Sequence, residues 1–107
     1  MSIPEWGQVP PRQRRIIEMC FRLGVDFMWR GPSELLVSQV GSSQVIEELL
    51  KAGLQVLGLE GFDLAPDGVI PRLDLIYDPD RAPSDWTASS IAVQWPPDVW
   101  IEIVLDG

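Results

Sequence analysis

The feature that most constrains the fold is a change in the spacing of the apolar residues at Gly53. Before it, the apolar side chains of residues 43–52 fall on one face of a helix. After it, residues 54–64 and 69–77 read as strands, and the Ala-Pro-Asp-Gly stretch of residues 65–68 between them carries turn chemistry. The sequence therefore predicts a helix followed by a β-hairpin.

The register of this hairpin decides the environment of Glu60. If the turn closes with Leu64 opposite Val69, then Glu60 lies opposite Leu73 and shares the face of the apolar side chains there. A partly buried carboxylate needs a partner, so we expect an ion pair with Arg72 or with an arginine near the N-terminus. The alternative is that a bulge at Gly58 or Gly61 exposes Glu60 as a site residue.

Further elements follow from spacing and from end signals. A helix is predicted over residues 11–23, where proline suits the first turn and Gly24 provides the end. Another helix, which Ser84 can cap, follows the hairpin, and a last strand begins at Asp98. Residues 25–40 carry only a weak strand signal, so their structure stays open.

The order of these elements defines the fold class. It predicts an α+β fold in which two to three helices pack on one face of a small, three- or four-stranded antiparallel sheet with a central β-hairpin. The chain has 107 residues, which is the length of one domain, so residues 1–107 are expected to form a single α+β domain.

The residue counts exclude several kinds of active site. The chain has no histidine, so a Ser-His-Asp triad, a Cys-His pair and a histidine-ligated metal are impossible. Its single cysteine, Cys20, permits neither an internal disulfide nor a thiolate zinc cluster, and its place on the apolar stripe of the first helix indicates a core residue. We therefore expect no enzyme, no cofactor and no metal site.

Two alternatives rest on the carboxylates. Asp78, Asp80 and Asp85 lie on one loop and could ligate a hard cation, but their spacing lacks the glycine and glutamate of a calcium-binding loop. A pair of carboxylates could also hydrolyse a glycoside, but that chemistry needs a cleft, which a domain this small seldom encloses.

The negative charge is confined to one half of the chain. Residues 1–51 hold six basic and six acidic residues, whereas residues 52–107 hold two basic and ten acidic ones, which accounts for the net charge of −8. Such a surface repels nucleic acid and anionic membranes, and it speeds the encounter with a basic partner. Neither a signal peptide nor an apolar run of about 20 residues is visible, so we expect a cytoplasmic protein that contacts no membrane.

One set of acidic and aromatic residues forms the predicted partner-binding surface. The carboxylates supply its negative field, and two tryptophans supply apolar anchors, since tryptophan is a common anchor at interfaces. The residues are Glu60, Asp74, Asp78, Asp80, Asp85, Trp86 and Trp100.

Two stretches of the predicted hairpin resemble a known family. They read Val-Leu-Gly-Leu-Glu-Gly-Phe over residues 56–62 and Gly-Val-Ile-Pro-Arg-Leu-Asp-Leu-Ile-Tyr-Asp over residues 68–78. This pattern is similar to a hairpin in the small α+β immunity proteins of bacterial polymorphic toxin systems, and the similarity covers residues 43–105. It implies a protein that binds and blocks a cognate toxin domain, often a nuclease, made by the same cell. The matching positions are Glu60, Pro71, Arg72, Asp74 and Asp78.

The residues by themselves favour the same interpretation. A small acidic domain suits binding better than turnover, and mimicry of an anionic substrate is an effective way to inhibit a nuclease. We therefore expect an immunity protein that neutralises a basic toxin domain through an acidic surface. The alternatives are an adaptor or structural subunit that docks through exposed tryptophans, and a carboxylate-based hydrolase. The sequence leaves the chemistry of the toxin and the oligomeric state open.

Overall fold

Helices and strands follow one another along residues 6–32 and 34–106, the part of the chain that this computed structural model describes. The elements in chain order are a 3₁₀ turn (Trp6–Gln8), α1 (Pro11–Leu23), β1 (Phe27–Trp29), β2 (Leu35–Ser38), α2 (Ser42–Lys51), β3 (Val56–Ala65), β4 (Gly68–Tyr77), α3 (Ala88–Gln94) and β5 (Trp100–Leu105). The first two helices agree with the predicted ranges to within one residue. None of the helices in the described ranges is both long and apolar enough to cross a membrane.

The ends of α1 are set by two residues with special backbones. Pro11 opens the helix, where its missing N–H leaves no hydrogen bond unmade. Gly24 ends it in the left-handed conformation, with φ at 70°, and donates its backbone N–H to the carbonyl of Cys20. Glycine adopts this conformation without steric cost. Ile16, Ile17 and Cys20 are the buried residues of the helix.

The predicted cap of the third helix is wrong. The helix begins after Thr87 rather than after Ser84, because Thr87 and Ser90 satisfy each other's backbone N–H groups. The hydroxyl of Thr87 accepts a hydrogen bond from the N–H of Ser90 at 3.2 Å, and the hydroxyl of Ser90 accepts one from the N–H of Thr87 at 3.1 Å. This reciprocal capping box fixes where α3 starts.

The sheet has five antiparallel strands in the order β1-β2-β5-β3-β4. Residues 25–40, whose structure the sequence left open, supply β1 and β2, so the sheet exceeds the three or four strands expected. The fold is α+β as predicted. β5 is the central strand of the sheet, and the β3–β4 hairpin forms one side of it. Its turn closes with Leu64 opposite Val69, as predicted.

The hydrophobic core lies between the helices and one face of the sheet. All three helices contribute buried apolar side chains to it, and every strand contributes residues that face the same way. The alternation is clearest in β5, where Ile101, Ile103 and Leu105 are buried in the core and the residues between them are only partly buried. This one-sided packing leaves the second face of the sheet without helices.

A bulge interrupts the β3–β4 hairpin between Glu60 and Gly61. On one side of it Gly61 lies opposite Arg72, but on the other side Glu60 lies opposite Ile76. The extra residues are 73–75 of β4, which have no directly paired partner on β3. The predicted pairing of Glu60 with Leu73 is therefore wrong.

Leu75 packs closely against Gly61 at the bulge. A Cβ atom on Gly61 would lie 2.8 Å from the Cβ atom of Leu75, so Leu75 occupies the space that any larger residue at position 61 would need. Leu75 is buried, whereas Glu60 is exposed on the other side of the sheet. The expected burial of Glu60 and its ion pair with Arg72 are wrong, because Arg72 binds two aspartates of the hairpin instead. The alternative, exposure of Glu60 by a bulge, is what the structure shows.

Candidate functional site

The face of the sheet opposite the helices carries a mixture of apolar and acidic side chains. Strand alternation and the pairing registers place its members, because directly paired residues of antiparallel strands point to the same side. We call this surface the open face. Its residues include Leu36, Glu60, Phe62, Ile76, Trp100, Glu102 and Val104.

A row of three directly paired residues crosses the open face. Glu102 of β5 lies opposite Glu60 of β3, and Glu60 lies opposite Ile76 of β4. Two like charges in directly opposed positions repel each other. The pKa of Glu102 is accordingly raised above its usual range, first by partial burial and then by the charges of Glu60 and Glu34. Within the described residues, neither Glu60 nor Glu102 takes part in an ion pair.

Curvature of the sheet makes the open face concave. β1 and β4 are opposite edges of the sheet, yet the Nη2 atom of Arg30, just after β1, lies 3.8 Å from where a Cβ atom would sit on Gly68 at the start of β4. Since the helices fill the other face, the end of the hairpin bends across the open face. Leu36, which is fully buried although it lies outside the core under the helices, fits this arrangement.

Glu34 adds a third carboxylate near this surface. Its Oε1 atom lies 3.3 Å from Nε of Arg30, so the two charges attract. The contact lacks the geometry of a hydrogen bond, and this buried oxygen makes no hydrogen bond within the described chain. Glu34 therefore acts on Glu102 as a charge that is only partly balanced.

A second acidic surface is the loop that follows β4, residues 78–86, which we call the acidic loop. Asp78 Oδ1 accepts a hydrogen bond from the backbone N–H of Asp80 at 2.9 Å, which shapes the start of the loop. Asp80 and Asp85 are exposed, and their side chains form no ion pair with any residue in the described ranges. The loop thus presents uncompensated negative charge to solvent.

Trp86 closes the acidic loop and remains 48% exposed. Its backbone carbonyl accepts a hydrogen bond from the hydroxyl of Tyr77 at 3.3 Å, which ties the end of the loop to β4. Together with Ile76 and Asp78, these two aromatic residues line a shallow cleft of about 400 Å³. Ile76 belongs both to this cleft and to the open face, so the two acidic surfaces adjoin each other.

The structure separates Asp74 from the rest of the predicted surface. Arg72 donates two hydrogen bonds to the Asp74 carboxylate, at 2.9 and 3.0 Å, and a third at 3.2 Å to Asp63. These hydrogen bonds raise the pKa of Arg72, and the arginine lowers the pKa of the Asp74 carboxyl. The charge of Asp74 is therefore balanced within the hairpin, in contrast to that of Asp80 or Asp85.

The predicted surface is thus divided among three places in the fold. Asp78, Asp80, Asp85 and Trp86 share the acidic loop, Glu60 and Trp100 share the open face, and Asp74 stays with Arg72. The predicted set missed Glu102, although the alternation of the last strand already put it on the side of Trp100. Its position opposite Glu60 depends on the pairing of β3 with β5, which no local pattern reveals.

Neither a metal site nor a known relative assigns a function to these surfaces. Across residues 6–32 and 34–106, no group of three or more acidic or cysteine side chains is arranged to hold a metal ion. A scan against protein-family models, a search of curated proteins and a search of solved structures each find no significant match. Function is therefore inferred from the charges and contacts of the open face and the acidic loop.

Proposed function

We propose that this chain is a cytoplasmic immunity protein that binds and neutralises a cognate toxin domain with a basic surface. The observation that carries the proposal is a set of carboxylates on two adjoining surfaces that form no ion pair within residues 6–32 and 34–106. Glu60 and Glu102 lie on the open face, and Asp80 and Asp85 lie on the acidic loop. Each surface also holds an exposed or partly exposed tryptophan.

Charge complementarity explains how such surfaces would serve inhibition. Long-range attraction between an acidic surface and a basic one raises the association rate and disfavours partners of the wrong charge. Aromatic side chains in the same patch supply apolar contact area once the complex has formed. A nuclease that binds anionic nucleic acid offers the basic surface that this arrangement fits.

The resemblance to immunity proteins supports the same proposal. It lies in residues 56–62 and 68–78, which form most of the β3–β4 hairpin. That hairpin presents Glu60 on the open face and leads directly into the acidic loop. Both acidic surfaces are therefore attached to the segment that carries the resemblance.

The experiment is co-purification of this chain with the product of the adjacent upstream gene, at low and at high salt. A stable complex that weakens as salt rises supports the proposal, because salt screens attraction between exposed charges. A chain carrying Asp80→Lys and Asp85→Lys should associate more slowly at low salt, whereas the control Glu18→Lys on α1 should do so much less. No complex with that product would contradict the proposal.

An adaptor that docks through exposed tryptophans is the second candidate, and the exposure of Trp86 favours it. Apolar docking changes little with ionic strength, unlike binding through exposed charge. A complex that withstands high salt but is lost in Trp86→Ala would therefore favour the adaptor. In that case the two lysine substitutions on the acidic loop should have little effect on the association rate.

A further inference from the structure

The open face has the properties of a docking surface rather than of an ordinary solvated sheet face. The helices cover only the opposite side of the sheet, so no helix of the described ranges packs on this face, and the end of the β3–β4 hairpin covers only part of it. Ile76 on β4 is 54% exposed, and Trp100 and Val104 on β5, across the intervening β3, are partly exposed, whereas Leu36 and Phe62 are buried. What distinguishes the face is the combination of these apolar side chains with the carboxylates of Glu60 and Glu102, which form no ion pair within the described residues.

The Glu60–Glu102 pair indicates what kind of partner fits. Opposed carboxylates on adjacent strands destabilise a sheet, and partial burial of Glu102 increases that penalty. No cation within the described residues pairs with either one. A positive charge supplied from outside would relieve the repulsion, so the pair disfavours the free protein and favours a complex with a cation.

The apolar residues next to the carboxylate pair indicate that the cation is a basic side chain rather than a small ion. Trp100 precedes Glu102 by two residues on the same strand face, and Phe62 lies opposite Trp100. An arginine or lysine buries its methylene stem against apolar or aromatic surface while its charged end reaches a carboxylate. A guanidinium can also bridge two carboxylates through its several N–H groups.

We propose that the open face is the docking surface for a basic segment of a protein partner, with the Glu60–Glu102 pair receiving one of its arginine or lysine side chains. The proposal rests on the proposed function in that the partner is the toxin domain, and it assigns the main contact to the open face rather than to the acidic loop. A second copy of this chain does not fit, because its net charge of −8 would repel the same acidic surface.

Affinity for the toxin domain provides the first test. Glu60→Gln and Glu102→Gln should each raise the dissociation constant by about tenfold, which is the size expected for losing one partly buried charge contact. Glu18→Gln on α1 and Asp80→Asn on the acidic loop change the net charge equally and should have less than about a twofold effect. Equal losses in all four variants would overturn the proposal, since they would show only a dependence on overall charge.

A second test does not depend on the toxin. The isotope-labelled chain is titrated with a short synthetic peptide of alternating lysine and leucine, and backbone amide shifts are followed by NMR. Changes centred on Glu60, Trp100 and Glu102 support the open face, and changes confined to the acidic loop overturn it. If the wild-type chain fails to bind the toxin domain, the proposed function fails, and this titration decides the docking surface by itself.

A loss of binding in these variants can be distinguished from a loss of folding. Each glutamine substitution removes a repulsive charge and keeps the shape of the side chain, so both variants should unfold at the wild-type temperature or above it. A variant that melts well below the wild type would show instead that the pair has a structural role, which would overturn the proposal.

Discussion

Glu60 of β3 lies directly opposite Glu102 of β5, on the face of the sheet that the helices leave uncovered. Side chains in this relationship have Cβ atoms about 5 Å apart, so their charges repel. Partial burial of Glu102 strengthens the effect, because the ionised form loses hydration. The free protein therefore retains an electrostatic penalty that its core must offset.

This penalty predicts that Glu102→Gln stabilises the protein in a pH-dependent way. The pKa of Glu102 is raised above 4.5 in the folded state, so the folded protein holds this proton more tightly than the unfolded chain does. The penalty is therefore present above the folded pKa and disappears as the pH falls below 4.5. We expect the free energy of unfolding to rise by roughly 0.5–1 kcal/mol at pH 7 and to match the wild type near pH 4.

Urea denaturation at pH 7 and at pH 4 measures this difference. Glu18→Gln is the matched control, because Glu18 lies exposed on α1. This substitution changes the net charge by the same amount as Glu102→Gln. An equal gain from both variants, or a gain for Glu102→Gln that persists at pH 4, would contradict the explanation by local repulsion.

The bulge predicts a large effect from a single methyl group at Gly61. Alanine there would place its Cβ atom 2.8 Å from the Cβ atom of buried Leu75, so either the side chain or the strand must shift. Overpacking of this kind lowers stability by about 1–3 kcal/mol. Gly7→Ala is the control, since nothing lies within 4 Å of its Cβ position. Similar unfolding midpoints for the two variants in urea would show that the bulge relaxes without cost.

Local signals predicted the parts of the fold that depend on nearby residues. The ends of α1 follow from Pro11 and Gly24, and the register of the turn follows from residues 65–68, because each is set within a few positions of the chain. β1 and β2 have three and four residues, too few for a periodic signal. They form because β5, more than 60 residues further along, pairs with β2.

The candidate site shows the same division between local and distant causes. Exposure of the acidic loop could be predicted from its prolines and aspartates, which favour turns at the surface. The position of Glu60 could not be decided between the two alternatives, because it depends on whether the strand pairing shifts between Glu60 and Gly61. Arg72 and Asp74 are two positions apart on one strand, and the contact of Arg72 with Asp63 follows from the register of the turn. Both contacts therefore depend on nearby residues, although the sequence predicts Glu60 as a partner of Arg72.

The contact between Arg72 and Asp74 predicts a measurable shift in carboxyl titration. The pKa of Asp74 lies below 3.8 because the Arg72 guanidinium donates hydrogen bonds to its ionised form. In Arg72→Gln we expect the pKa of Asp74 to rise towards 3.8. The stability that this contact contributes is present above that pH and is lost as the pH falls through the folded pKa. Carboxyl ¹³C shifts followed by NMR against pH measure the change.

Arg81→Gln is the control for this titration. Arg81 contacts Asp78 at 3.7 Å and lies on the acidic loop rather than in the hairpin. Arg81→Gln removes the same charge as Arg72→Gln. Because Arg81 contacts Asp78 and not Asp74, this substitution should leave the pKa of Asp74 unchanged. A comparable rise in both variants would show that the pKa of Asp74 responds to overall charge and not to the contact with Arg72.

The burial of Cys20 predicts that its thiol reacts only when the protein opens. The side chain is fully buried on the core-facing side of α1, and burial raises the pKa of the thiol to about 12. Since the thiolate is the reactive form, labelling by a disulfide reagent at pH 8 should be very slow in the native protein and rapid in concentrated urea. Leu49→Ala, which leaves a cavity in the same core, should lower stability by about 2–5 kcal/mol and speed native labelling in proportion to the larger unfolded fraction. A labelling rate equal in wild type and Leu49→Ala would mean that Cys20 becomes accessible through a local opening of α1 and not through unfolding of the core.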